Sequence, residues 1–495
     1  MIAGANGHTR LSRILGADGR PMRFGYDATE NKKRRRPSTG RLESEDKQLP
    51  TSKRRDLVSE MRDLQRNFSL AAWAIRKHLD FVSTFTFQSK NGDKPLDDRI
   101  EELMEWWGRA ANFDRAGRHP MGRFVRLAEA RAVVDGDIGL MKLADGRVQA
   151  IEGDRIRTPW NLPAKAGVKA EDLTHGVKTD KAGRALAYCV CRRGSGGSGF
   201  EFERMIRAGR ILLHGYFDRF DQVRGITPVA SGYNSIQDTY EGVTYALLKA
   251  KVAQLFGLKI NLGDDGTGLP GKVTNTADDS DDATETDEEK RGYEVDFGRG
   301  PFVLNLDPGD DAEFLENRTP SAEFKEFMLA VIGIGLKAID IPYCFYDEAH
   351  TNFFGSKAAL ALYLKSCRTK RESLRAMLRK LIYWRLLLFV LDGQLELPAG
   401  VTVPDLKFEL IPDGMPWWDQ SKEVAGDVAA IGAGLRTRTE IRKERYGDDW
   451  HDVIDGLAEE EAYIREKEVT ITQPAINVNV GVAPVKKGED DDDED

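Results

Sequence analysis

The chain has 495 residues, 40% of them hydrophobic and 31% charged, with a formal net charge of -8. This is two to four domains' worth of chain with ample material for a core, the composition of a soluble globular protein with polar extensions and not of a disordered or membrane chain. No apolar run reaches the roughly 20 residues of a bilayer span, the first residues MIAGANGHTRLSR hold no signal-peptide core, and four cysteines without a CxxC pair fit a reducing compartment.

The charge is unevenly placed. Eight acids lie in DDSDDATETDEE (278–289) and seven in EDDDDED (489–495), and without these fifteen charges the remainder stands at +7. Like-charge runs of this kind stay solvated and resist compaction, so both are expected to be disordered, serving solubility or binding. Residues 1–50, with KKRRRPSTGR at 32–41 and little apolar content, read as a mobile basic arm.

From Asp56 onward, Leu57, Met61, Leu64, Phe68, Ala72, Ile75 and Leu79 recur at helical spacing. Further helices are expected over 97–110 and over 121–134, the latter with Phe124, Leu127 and Val134 inward. Turn signals at 144–147, 179–184 and 194–199 then mark a β-rich stretch, in which ALAYCVC (185–191) alternates as a strand and sets Cys189 and Cys191 on one face as small buried hydrophobes. Residues 235–258 read as one helix, and the polar, acidic loop 261–292 is followed by strand-like GYEVDF and PFVLNL. Ser321 opens a second helix that Pro342 stops, and Ser356 caps a third running from Lys357 to about Leu391. Residues 401–411 alternate as a strand, and 416–466 return to helix.

Signatures of chemistry are weak. Gly266–Lys272 matches GxxxxGK, but Val273 stands where a phosphate-binding loop needs Ser or Thr, and the acids that follow would repel a nucleotide. There is no HExxH, no GxSxG and no calcium-loop spacing. On the helix beginning at Lys357, Lys365, Arg368, Arg375 and Arg379 form one basic stripe with Arg371 at its margin, beside an apolar face of Leu360, Cys367, Leu374, Leu378 and Leu381. Such a stripe suits a solvated outer face, a contact with a neighbouring subunit, or a contact with DNA.

Several segments, taken in order, resemble the portal proteins of tailed bacteriophages, of the lambda type. They are RDLQRNFSLAAWAI (62–75), VVDGDIGLMKL (133–143), IEGDRIRTP (151–159), GVKTDKAGRALAY (176–188), DQVRGITPVA (221–230), FVLNLDPGDDAEFL (302–315), IPYCFYDEAHTNFFGSKAAL (341–360) and GLRTRTEIRKERYGDD (434–449). The chain departs from the family at Phe353, Phe354 and Gly355, where Tyr and Ser are usual, and at Ala349 and His350, where an aspartate-tyrosine pair is common.

The resemblance implies an α+β portal fold, assembled as a ring of twelve identical subunits around a channel for double-stranded DNA. The implied parts are a wing (51–230 and 355–411), stem helices (231–257 and 321–341), a clip (258–320), a tunnel loop (342–354) and a crown (412–470), with the acidic tail at 471–495. Tyr343, Tyr346, Asp347, Glu348, His350 and Asn352 would lie in the tunnel loop, facing DNA without reading its sequence. The implied partners are the packaging motor (the terminase large subunit), a head-tail adaptor, and the major capsid and scaffolding proteins. The place is the capsid portal vertex of the virion, reached from the host cytoplasm during assembly, with no membrane, metal, cofactor or catalytic residue. The alternatives from other classes are a nucleotide-hydrolysing packaging motor and a structural capsid or adaptor subunit.

Overall fold

The computed structural model describes residues 43–194, 199–255, 258–261, 311–314, 322–347, 353–415 and 419–467. Helices α1 (Glu45–Gln48), α2 (Thr51–Asn67) and α3 (Ser69–Val82) open the chain, followed by strand β1 (Phe85–Ser89) and helices α4 (Lys94–Gly108), α5 (Ala110–Phe113) and α6 (Met121–Asp135). The β-rich stretch follows with β2 (Asp137–Lys142), β3 (Val148–Glu152), β4 (Leu173–Thr174), β5 (Val177–Thr179), β6 (Ala185–Arg193), β7 (Phe200–Arg207) and β8 (Ile211–Gly215). Next come α7 (Tyr233–Leu255), β9 (Leu258–Asn261), β10 (Asp311–Phe314), α8 (Ala322–Leu336), α9 (Phe353–Leu391) and β11 (Phe408–Pro412), and last α10 (Gln420–Gly432), α11 (Arg438–Arg445) and α12 (Trp450–Glu466). Helices and antiparallel sheets are segregated along the chain, which makes the fold α+β.

Two sheets build the β-rich part, one ordered β3-β2-β8 and the other β4-β5-β6-β7, both antiparallel. Ile151, Ile156, Val177, Tyr188, Val190, Ile206 and Ile211 form the apolar contact between them. Cys189 and Cys191 are both fully buried against Leu173, with a bulge between Val190 and Cys191. The ribbon β1–β11 joins residues more than 300 apart in sequence, Phe85 opposite Pro412 and Ser89 opposite Phe408.

The spine is α9, whose 39 residues span roughly 58 Å at 1.5 Å per residue. Its buried face, Tyr363, Cys367, Leu374, Leu378, Leu381, Leu386 and Phe389, joins Ile75 and Val82 of α3, Trp107 of α4, Phe124 and Val133 of α6 and Leu336 of α8 in one core. Each later helix has its own start signal: Asp419 caps α10, a Thr437/Glu440 capping box opens α11, and Asp449 caps α12.

Several expectations are corrected. The helical pattern from Asp56 is two helices, because Phe68 takes an extended conformation (φ -119°, ψ 111°) that turns the chain while keeping its ring against the core. Leu127 points outward at 42% exposure, with Ala128 taking the inward place. Residues 43–50, expected in a disordered arm, lie on the body: Asp46 accepts the Val223 amide at 3.0 Å and Glu45 pairs with Arg219 at 3.2 Å. Alternation at 401–411 does not give a strand throughout. Thr402 and Asp405 form a capping box around a short 3-10 turn with Pro404 in its first turn, so β11 starts only at Phe408. Helix α9 begins at Phe353, placing Ser356 within its first turn as a buried side chain instead of at a cap. The strand-like GYEVDF and PFVLNL, the acidic runs and the GxxxxGK stretch lie outside the described residues.

Candidate functional site

Helices α7 and α8 form an antiparallel hairpin whose seam is set by glycine. A Cβ on Gly232 would come within 2.7 Å of the Gly335 carbonyl oxygen, and one on Gly335 within 2.8 Å of Ile236 Cγ1. Farther along, Gly242 faces the Met328 sulfur. Ile236, Met328, Ile332 and Leu336 are buried in this seam, whereas Tyr240, Tyr245, Leu247 and Leu248 of α7 and Phe327 and Ile334 of α8 are exposed. Among the described residues the hairpin thus presents large apolar side chains at its surface.

At its foot, α8 tightens into a 3-10 turn at Lys337–Ile339 and reverses through Asp340, which is left-handed at φ 65°. The conformation costs energy for a residue other than Gly, and it is held by α9: Ser366 donates to the Asp340 carboxylate at 2.6 Å and Lys370 at 3.0 Å, while Lys370 also donates to the Ile339 carbonyl at 2.9 Å. Against the upward push of partial burial, Ser366 and Lys370 hold the Asp340 carboxyl below its usual range.

Pro342 then starts a second 3-10 turn, Tyr343–Phe345. Phe345 stacks on Phe81 (5.7 Å between centroids) and meets Tyr363 edge-on (5.5 Å), and Tyr346 meets Trp73 edge-on (6.1 Å). The Tyr343 hydroxyl donates to Asp347 at 3.2 Å; burial and this carboxylate push its pKa up. The first half of the segment expected to project, through Asp347, is therefore anchored to α3 and α9 by its aromatic rings. Tyr346 is its exposed ring, at 39%. Glu348, His350 and Asn352 lie outside the described residues.

The basic stripe of α9 divides. Lys365 and Arg379 are exposed, and among the described residues neither meets a carboxylate at salt-bridge distance. Arg375 pairs with Glu372 at 2.6 Å and lies 5.6 Å from the Phe85 ring, and Arg371 donates to the Phe81 carbonyl at 2.7 Å. Arg368, Arg371 and Arg375 line a groove of about 1130 Å³ whose other walls carry Glu409, Asp413, Glu423 and Asp427 from β11, the residues after it, and α10. Lys357 and Arg445 pair with Glu423 across it, at 2.7 and 3.0 Å. Three of the stripe's arginines thus face acids of their own chain.

Two buried polar networks escaped sequence reasoning. Asp137 is fully buried and accepts from Arg224 Nε (2.7 Å) and Nη2 (2.6 Å), the Gly225 amide (2.8 Å) and Arg54 (3.2 Å). Arg224 also donates to the carbonyls of Gly153, Ile156 and His175. Against burial, Arg224 and Arg54 hold Asp137 below the usual carboxylate range, while burial and Arg224 push Arg54 down to about 10. In the second network Glu129 accepts from Tyr216 (2.6 Å) and faces His78 (3.2 Å) and His214 (2.7 Å) through their Nε2 atoms. The first network binds together three of the quoted segments, 133–143, 151–159 and 221–230, and adds the His175 carbonyl just before a fourth, 176–188. The only sequence signal was charge inside apolar context at Asp137 and Arg224.

None of these arrangements brings a nucleophile, base and open cavity together, and among the described residues no cluster of His, Cys, Asp and Glu could hold a metal. No helix among them is long and apolar enough to cross a membrane. The described residues form an α+β body carrying a helical hairpin with exposed apolar side chains. The family profile described as phage portal protein, lambda family, matches residues 32–366. The chain belongs to that family of portal proteins, which are structural rather than catalytic, and its role is that of a portal in a phage-like head. Its fold is similar to a chain in the virion of a native gene transfer agent particle (15% identity, TM-score 0.44) and to one in the neck of the native particle computed with C12 symmetry (15%, 0.45); each likeness covers 78% of this chain and 92% of the other. No curated protein matches the sequence.

Proposed function

We propose that twelve copies of this chain close head to tail into a ring at one capsid vertex, around a channel that passes double-stranded DNA during packaging and ejection. Twelve is the order that family membership implies. The observation carrying the assembly is the α7–α8 hairpin, which exposes Tyr245, Leu247 and Leu248 on one helix and Phe327 and Ile334 on the other. Apolar surface of this extent marks an interaction site, and different patches on two faces suit the heterologous contacts that generate rings.

In this assembly residues 231–257 and 321–341 act as the stem, 258–320 as the clip, 51–230 with 355–411 as the wing, and 412–470 as the crown. The DNA contact is assigned to Tyr346, Asp347, Glu348, His350 and Asn352, with Tyr343 holding Asp347. A conduit must not grip its cargo, because each phosphate neutralised by Lys or Arg adds affinity that resists sliding. A collar of acids, amide and ring edges offers steric and weak polar contact without a base register, so the contact is sequence-independent. Exposed Lys365 and Arg379 are left for a neighbouring subunit or DNA. The packaging motor, head-tail adaptor, and capsid and scaffolding proteins are the partners, met in the host cytoplasm and retained or shed at the virion's portal vertex.

Electron microscopy of the purified protein tests the ring: class averages with twelve or thirteen units around a central hole are expected. An ATP-hydrolysing monomer or an icosahedral shell lattice would overturn the proposal. For the loop, an Asp347→Ala, Glu348→Ala variant should form rings yet package DNA poorly; normal packaging would remove the assignment.

A further inference from the structure

A second cleft, of about 380 Å³, lies between α2 and the β-rich part. Arg55, Ser59, Arg62 and Arg66 follow one another along the same face of α2, and Arg157 and Phe200 stand on the other side. The deeper charges are matched. Arg54 and Arg224 share Asp137, and Arg62 is held by Asp135 at 2.6 Å and Asp154 at 3.3 Å.

The outer cations outnumber the outer acid: Arg55, Arg66 and Arg157 line the rim with Asp63, whose carboxylate accepts from Asn67 Nδ2 at 2.6 Å. Among the described residues neither Arg66 nor Arg157 has a carboxylate at salt-bridge distance, and Arg55 pairs only with its exposed neighbour Asp56. The Arg157 guanidinium is 4.3 Å from the Phe200 ring centroid, so one face is covered while its N–H edge meets no acceptor among the described residues. Burial, and the charge of Arg55, push Arg157 down. A guanidinium held in this way favours an incoming anion, and its planar fork matches a carboxylate.

A cleft of this volume does not admit a DNA duplex, whereas it has room for a few carboxylate side chains on an extended segment. The chain itself carries such a segment, EDDDDED at 489–495, seven acids without a cation. The 23 residues from Lys467 to Glu489 reach roughly 70 Å at full extension, enough to cross a subunit or meet the next one. Tethering also raises the local concentration of the run far above that of a free peptide.

We propose that the cleft between α2 and Phe200 is the docking site for the acidic run 489–495, of the same or an adjacent copy, with its carboxylates on Arg157 and Arg66. The docked run neutralises the cleft, which would otherwise retain phosphates non-specifically.

The test titrates a labelled peptide of residues 486–495 onto two full-length proteins, the natural chain and a variant in which residues 489–495 carry Asn and Gln in place of Asp and Glu. The variant should bind the peptide at least about tenfold more tightly, since its own tail no longer competes, and Arg66→Ala with Arg157→Ala should weaken that binding by about tenfold or more. Arg66→Ala alone, at an exposed position that does not endanger folding, should weaken it measurably, and a peptide with Asn and Gln should not bind. Equal binding by the two proteins, or binding indifferent to Arg66→Ala, would overturn the proposal. A single-stranded oligonucleotide of equal charge that bound more tightly than the peptide, through the same arginines, would also overturn it.

Discussion

Asp137 and Arg224 meet in a two-pronged ion pair, Nε to Oδ2 at 2.7 Å and Nη2 to Oδ1 at 2.6 Å, with both side chains almost wholly withdrawn from solvent. The remaining donors of Arg224 reach the carbonyls of Gly153, Ile156 and His175, while Arg54 of α2 donates to Asp137 and to the Gly225 carbonyl, so the two guanidiniums together fix the junction between α2, β2 and the loop leading to α7. Glycine is required beside it, since a Cβ on Gly136 (φ 95°) would come within 2.5 Å of the Gly225 oxygen.

Removing one partner leaves the other charge buried. Arg224→Met is expected to cost roughly 3–5 kcal/mol, whereas Asp137→Leu with Arg224→Met and Arg54→Met, which removes every charge of the network, should recover part of that loss. Chemical denaturation of the two variants at neutral pH measures the difference; a single variant within about 1 kcal/mol of the natural chain would show that the pair is not a structural junction.

Glu129 gives the fold a dependence on acid. Against the upward push of complete burial, His214 and His78 hold its carboxyl well below the usual range, while burial and Glu129 raise the Tyr216 hydroxyl, which stays protonated and donates. A carboxyl whose folded pKa lies below its unfolded value of about 4.3 contributes stability that is fully present above that value and is lost as pH falls toward the folded one. Glu129→Gln should therefore destabilise most at pH 6–7, and its deficit should shrink as pH drops below about 4. Thermal melts of both proteins from pH 7 to pH 3 check it, and a deficit that grows in acid would contradict the assignment.

These two networks mark where sequence reasoning stopped. Helical periodicity located α6 and the buried face of α9, because Phe124, Val134, Leu374, Leu378 and Leu381 repeat at the spacing that packing rewards. The same pattern ran through Phe68 without a break, since a residue that turns the chain while staying against the core leaves no gap in the hydrophobic record. At 401–411 local chemistry overruled alternation, with Thr402 and Asp405 closing a cap on each other. Asp137 and Arg224 are 87 positions apart, so nothing local announces their pairing. For the candidate site, the family resemblance implied a loop at 342–354 facing DNA, while the residues alone fitted a buried turn as well, and Phe345 packs between Phe81 and Tyr363. The arginines of α9 were legible as a stripe, while the acids facing Arg368, Arg371 and Arg375 come from residues 409–427.

The glycines of the α7–α8 seam should differ in their response to alanine. At Gly232 the new methyl would meet a backbone carbonyl, that of Gly335, at 2.7 Å, and the helices must part; overpacking of this kind costs about 1–3 kcal/mol. At Gly242 the nearest atom is the flexible Met328 sulfur at 3.2 Å, and the gain in helix propensity, up to about 1 kcal/mol, offsets the adjustment. Unfolding of Gly232→Ala and Gly242→Ala proteins ranks them, and equal losses would mean that the seam is not closest at Gly232.

Tyr245 and Leu247 are 65% and 57% exposed in the isolated chain. Replacing either with Glu removes little buried surface from the subunit, so its own stability should change by no more than about 0.5 kcal/mol. In a closed ring the same carboxylate would be repeated in every interface against apolar side chains, where an unpaired charge is strongly disfavoured. Tyr245→Glu with Leu247→Glu is therefore expected to leave helix content and the unfolding midpoint of the subunit in place while abolishing rings in electron micrographs. Rings that persist undiminished would put the subunit contact elsewhere on the molecule. Loss of helix content together with loss of rings would instead place these side chains in the hairpin's own stability.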